Sequence, residues 1–136
     1  MTLLASPRER LRLLLWLVAL HSAGVGLGLI LHPAGLLAFM GFAPVSEPFF
    51  PAQGGVFHVV VAVGYAMAAH APRRHRSLIV FAVVVKILAT VFLLLYWLLI
   101  ARLWSVLASG AVDGLMALLI ALAYVAWRRT ESDGSS

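Results

Sequence analysis

The chain has 136 residues, of which 63% are hydrophobic and 11% charged, and it contains no cysteine. Soluble domains hold about 45–50% apolar residues, so this composition excludes a water-soluble globule of such small size and makes lipid the solvent for most side chains. The net charge of +5 sits in short clusters at the ends of apolar runs, which excludes a nucleic-acid-binding face, and the lack of thiols removes disulfides, thiolate catalysis and iron–sulfur clusters.

Four apolar runs follow one another, at about 11–31, 53–71, 78–100 and 103–127. Each is about 19–25 residues long, enough to cross a hydrocarbon core of about 30 Å as a helix. The first is longer than the apolar part of a signal peptide, about 7–15 residues, and His21-Ser22-Ala23 is a poor cleavage sequence. It reads as a retained span. The fold class expected is therefore all-α, a polytopic four-transmembrane-helix bundle forming one membrane domain over residues 1–129.

Arg8, Arg10 and Arg12 stand at the start of the first run, Arg73, Arg74 and Arg76 separate the second from the third, and Arg128 and Arg129 follow the fourth. The stretch 32–52 has no Lys or Arg, and the last connection has only Arg102. The positive-inside rule then places both termini in the cytoplasm. Trp16 and Trp127 fall near the inner face, and Tyr96, Trp97 and Trp104 near the outer one, as interfacial anchors.

The connection 32–52 is an outer loop broken by Pro33, Pro44, Pro48 and Pro51. A short helix fits Pro33 to Met40, with proline in its first turn and Gly41 as its stop. Phe49 and Phe50 are expected to insert into the interface beside it. Residues 72–76 make a tight turn, and residues 130–136 form a polar tail expected to be disordered.

Lys86 and Asp113 are the two charges within the long apolar runs. A lone ion inside a span costs a few kcal/mol, so two of opposite sign are expected to pair. At about 1.5 Å per helical residue, they lie roughly 15 and 21 Å from the arginine-rich side, a gap a lysine stem can bridge. Thr90 shares the face of Lys86. Ser109, Asp113, Ala117 and Ala121 form one stripe, with Gly110 and Gly114 beside it, and small residues let helices approach closely. Gly24 and Gly28 continue the face of His21 and suggest close packing there. Gly54, His58, Ala62 and Tyr65 form another stripe. Turned inward, these faces would gather His21, His58, Tyr65, Lys86, Thr90 and Asp113 into one polar interior.

Each of these has a plainer reading. The ion pair fixes helix rotation, the histidines are hydrogen-bonded core residues, and Tyr65 packs. A haem between His21 and His58 would need similar depths, whereas the estimate separates them by about 7 Å. No ligand spacing supports a metal site. Ala23-Gly24-Val25-Gly26-Leu27-Gly28 lies inside a span, where glycines serve helix contact rather than phosphate binding. No P-loop, nucleophile elbow, zincin helix or dinucleotide fingerprint is present.

His32-Pro33 with Leu36-Leu37 and Gly41, then Gln53, Tyr65, Pro72, Lys86 and Asp113-Gly114, resemble the DoxX-like group of small four-span bacterial membrane proteins and neighbouring families of unknown function. The likeness covers residues 8–129. It implies a four-span bacterial fold and a role accessory to quinone-linked or redox complexes. It assigns no cofactor ligand to any residue here.

The reading from sequence is a multi-pass protein of the bacterial inner membrane, not an enzyme. It would be an accessory or scaffold subunit pinned by Lys86 and Asp113, with no cofactor or metal. Its partners are the lipid bilayer and a membrane protein or a second copy, and no nucleic acid. The alternatives are a small carrier or proton-coupled binding protein for an anionic or apolar molecule, and a membrane redox-associated subunit.

Overall fold

A computed structural model of the chain describes residues 6–133. All of its regular structure is helical: α1 Pro7–Leu31, α2 Ala34–Phe39, α3 Phe49–His70, α4 Arg76–Leu99 and α5 Trp104–Asp133. Four of these are long and apolar enough to cross a membrane, and the protein is an all-α, multi-pass four-helix bundle. The observed spans match the four expected runs within about four residues, except at the end of the last.

Local chemistry sets the helix ends. Ser6 accepts from the Glu9 backbone N–H at 3.2 Å while Glu9 accepts from the Ser6 N–H at 3.1 Å. That capping box, with Pro7 in the first turn, satisfies donors that an α-helix start leaves orphaned. α1 stops at His32, which adopts a left-handed φ of 32° just before Pro33. The six-residue α2 follows Pro33 and ends before Gly41, whose φ of 89° strongly favours glycine. Pro51 lies within the first turn of α3, where no helical bond is lost. Phe49 and Phe50 begin this helix, edge to face with their rings 5.3 Å apart. They belong to α3, not to the preceding loop.

Around the bundle the spans run α3, α1, α5, α4. The pairs α1–α3 and α4–α5 pack most extensively, α1–α5 less, and α3–α4 least. Lipid tails are as apolar as leucine, so helices in a membrane associate through close packing rather than through the hydrophobic effect. The distribution of sizes agrees with that. Small residues such as Ala19, Ala62, Ala68, Ala69, Ala82 and Ala117 are buried, while Phe57, Leu88, Phe92 and Leu122 face outward.

The closest approach is between Gly26 and Gly55. A Cβ placed on Gly55 would lie 2.5 Å from the Gly26 carbonyl oxygen and 2.7 Å from Ile30 Cγ1. Gly24 and Gly28, the expected contact face, have open space where a side chain would go. The contact face of α1 is rotated from that expectation and carries Leu11, Leu15, Val18, Ser22 and Gly26. On the other pair, Gly110 seats against Leu93 and Leu94, and Gly114 against Thr90.

The outer connection folds back onto α5. Trp104 donates its indole N–H to the Phe39 carbonyl at 3.3 Å, and Ser105 its hydroxyl to the Met40 carbonyl at 2.7 Å. The rings of Phe39 and Trp104 meet edge to face at 5.4 Å.

At the opposite end, Pro7, Arg8, Arg73, Trp127 and Glu131 border one surface cleft, so α1 starts where α5 ends. The expected disordered tail from 130 is helical through Asp133, and residues 134–136 lie outside the described part. Helix continues because Glu131 has partners: Arg73 Nε at 2.9 Å and Arg76 at 2.7 Å donate to its carboxylate. Trp127, expected as a lipid-facing anchor, is instead buried beneath the Arg76 guanidinium and beside Tyr124. Both arginines stay partly solvated, so Glu131→Gln is expected to cost under about 1 kcal/mol. A thermal melt should move by no more than a few degrees, and a collapse of the fold would show that this clamp carries far more.

Candidate functional site

Through their membrane portions α4 is apolar except at Lys86 and Thr90, and α5 except at Ser105, Ser109 and Asp113. The close contacts at Gly110 and Gly114 set the rotation of α5 against α4. That rotation turns Asp113 inward opposite Lys86. Lys86 Nζ donates to Asp113 Oδ1 at 2.5 Å, with the two residues 3% and 7% exposed. The expected ion pair is present and is buried among the helices. In such a dry setting the attraction is strong, yet it only roughly offsets the loss of hydration of both ions. Its firm consequence is registry: neither helix can rotate or slide without leaving a charge alone.

The pair borders a cavity of about 190 Å³ lined by Ser22, Phe57, His58, Val61, Tyr65, Val85, Lys86, Ala89 and Asp113. Every span contributes to it. The cavity lies between α3 and α4, the neighbours that pack least, and its rim includes Phe57, which is 61% exposed. It therefore opens sideways, toward lipid.

Of the six residues expected in a polar interior, four line this space: His58, Tyr65, Lys86 and Asp113. The Tyr65 side chain is wholly buried, and its hydroxyl has no hydrogen-bond partner. Buried polar groups are nearly always satisfied, so an orphan of this kind calls for an explanation such as a bound molecule or ion. His21 is not among the lining residues, although its Nδ1 is buried without a partner. Its neighbour Ser22, buried on the contact face of α1, takes that place. Thr90 is directed elsewhere. Its hydroxyl donates to the Lys86 carbonyl one turn back at 2.7 Å, and it borders a separate groove with Gly114, Ala117 and Ala121. Among the described residues, no group of three His, Asp or Glu side chains is placed to hold a metal ion.

The site and fold together define a small multi-pass membrane protein whose buried Lys86–Asp113 ion pair borders a cavity at mid-span. The sequence matches no family model and no curated protein, and no solved structure matches the fold.

Proposed function

We propose that this protein binds a small molecule inside a bacterial inner membrane, as a carrier or binding protein rather than a catalyst. One observation carries the reading: the Lys86–Asp113 pair borders a cavity rather than solid packing, and Tyr65, whose buried hydroxyl has no partner, lines the same space. A purely structural ion pair needs no such space around it. The cavity is the reason to rank this reading above the accessory subunit that sequence alone favours. Eight arginines at one end of the bundle support a cytoplasmic placement of both termini. Kinship with the DoxX-like group rests on the scattered residues named above.

The test is a thermal-shift panel of short carboxylic acids, amides and alcohols on the full chain in detergent. A ligand at a hundredfold over its Kd stabilises by about 2.7 kcal/mol, which is a rise of several degrees. Tyr65→Phe should reduce that rise, and Lys86→Met with Asp113→Leu should abolish it. A panel that leaves the wild-type midpoint unmoved throughout counts against a binding site.

A second reading, a subunit of a larger membrane assembly, draws on the outward groove between α4 and α5 lined by Val83, Ile87, Gly114, Ala117 and Ala121. Its small residues suit the approach of another helix. Migration on a native gel as a species larger than the monomer, lost on Ala121→Phe, would favour it.

A further inference from the structure

We propose that the ligand of this cavity is a short-chain monocarboxylate bound together with one proton, with Asp113 holding the proton and Lys86 the anion. The inference rests on the cavity being a binding site and names what it takes.

The first argument is a count of donors. An ammonium has three N–H donors, and Lys86 spends one on Asp113. The Tyr65 hydroxyl adds another with no acceptor. Two of the ammonium's donors and the Tyr65 hydroxyl are left without acceptors, and a carboxylate supplies two oxygens to meet such donors.

The second argument is charge. The groups that face or flank the cavity are Ser22 with His21 beside it on α1, His58 and Tyr65 on α3, Lys86 on α4 and Asp113 on α5. With neutral histidines the site holds one positive and one negative charge. An anion entering alone would leave an uncompensated negative charge in a dry interior, which is strongly disfavoured. One proton removes the difficulty.

The sideways opening between α3 and α4 suits the neutral acid, the form of a carboxylic acid that dissolves in lipid. As it enters, its O–H bond breaks and the proton passes to Asp113, whose Oδ2 is not used in the bond to Lys86. The carboxylate so formed replaces Asp113 on Lys86 Nζ and accepts from the Tyr65 hydroxyl. Nothing is oxidised or reduced, and the net charge of the site stays at zero. The volume of about 190 Å³ equals about six water molecules at roughly 30 Å³ each, room inside the cavity for a carboxylate with a few carbons.

The experiment is calorimetric titration of sodium propionate into the full chain in detergent near pH 6, in two buffers of different ionisation enthalpy. The expected result is uptake of one proton per propionate bound. Tyr65→Phe should weaken binding by roughly ten- to a hundredfold, the scale of one hydrogen bond to a charged group. Asp113→Asn should keep binding and lose proton uptake. Should that variant not fold, His58→Gln decides: proton uptake that survives in it keeps the proton on Asp113, and uptake lost in it overturns the assignment. Lys86→Met with Asp113→Leu, folded by circular dichroism, should bind nothing. Propionate binding without proton uptake, or with uptake persisting in Asp113→Asn (His58 then being the acceptor), overturns the assignment. Binding of propionamide but not propionate overturns the anion and leaves the cavity a site for neutral molecules. If neither binds, the binding-site reading falls with it.

Discussion

Lys86→Met alone is expected to destabilise the bundle by about 3–5 kcal/mol, and the same substitution combined with Asp113→Leu to recover most of that loss. Removing one partner leaves the other ion buried with no compensation, whereas replacing both by apolar residues of similar size removes two desolvation penalties along with one attraction. The geometry makes the case sharp, because Lys86 Nζ bonds Asp113 at 2.5 Å and both residues are nearly inaccessible. Against a total stability of about 5–15 kcal/mol, the single change should be visible as poor accumulation in membranes. Thermal melts of purified single and double variants measure the coupling. A double variant less stable than either single one would show that the pair is a net stabiliser, not chiefly a constraint on registry.

The second large effect concerns glycines, and its sign depends on which one is changed. Gly55→Ala places a methyl group 2.5 Å from the Gly26 backbone oxygen, and Gly26→Ala one 2.8 Å from the Gly55 oxygen. Neither oxygen is the end of a flexible side chain, so the helices themselves must move apart. Overpacking of this kind costs about 1–3 kcal/mol and occasionally more. Gly24→Ala and Gly28→Ala meet nothing within 4 Å, and replacing a helical glycine by alanine favours the helix by up to about 1 kcal/mol. These two should therefore be neutral or mildly stabilising. Circular dichroism melts of the four variants test the contrast. Equal losses at all four positions would refute the α1–α3 contact described here.

Much of the architecture is legible in the residues because lipid imposes so strong a rule: long apolar runs must be helices, and lone ions must find each other. Lys86 and Asp113 could be paired on depth alone. Rotation was harder to read. A helix that is apolar all round carries no stripe to say which face is inside, so the spacing of Gly24 and Gly28 does not by itself mark the contact face. A signal was nonetheless present, since residues 11, 15, 18, 22 and 26 of α1 recur at steps of four, three, four and four and include the serine that reaches the cavity. Thr90 shares a helix face with Lys86, but a threonine hydroxyl in a span finds its own backbone first. The far end of α5 was hidden for another reason. Residues 130–136 are polar by composition, and only the fold shows that Glu131 meets Arg73 and Arg76. The cap formed by Ser6 and Glu9 is a local pattern that sequence does carry.

The ion pair also bears on how the chain is made. Lys86 precedes Asp113 by 27 residues, and chains emerge from the ribosome at about 5–20 residues/s, so the amine exists for on the order of seconds before its counter-ion. Left alone at mid-bilayer it would be costly. Biogenesis is thus simplest if α4 waits beside the insertion machinery, its lysine still wet, until α5 arrives and the two are released into the membrane as one hairpin.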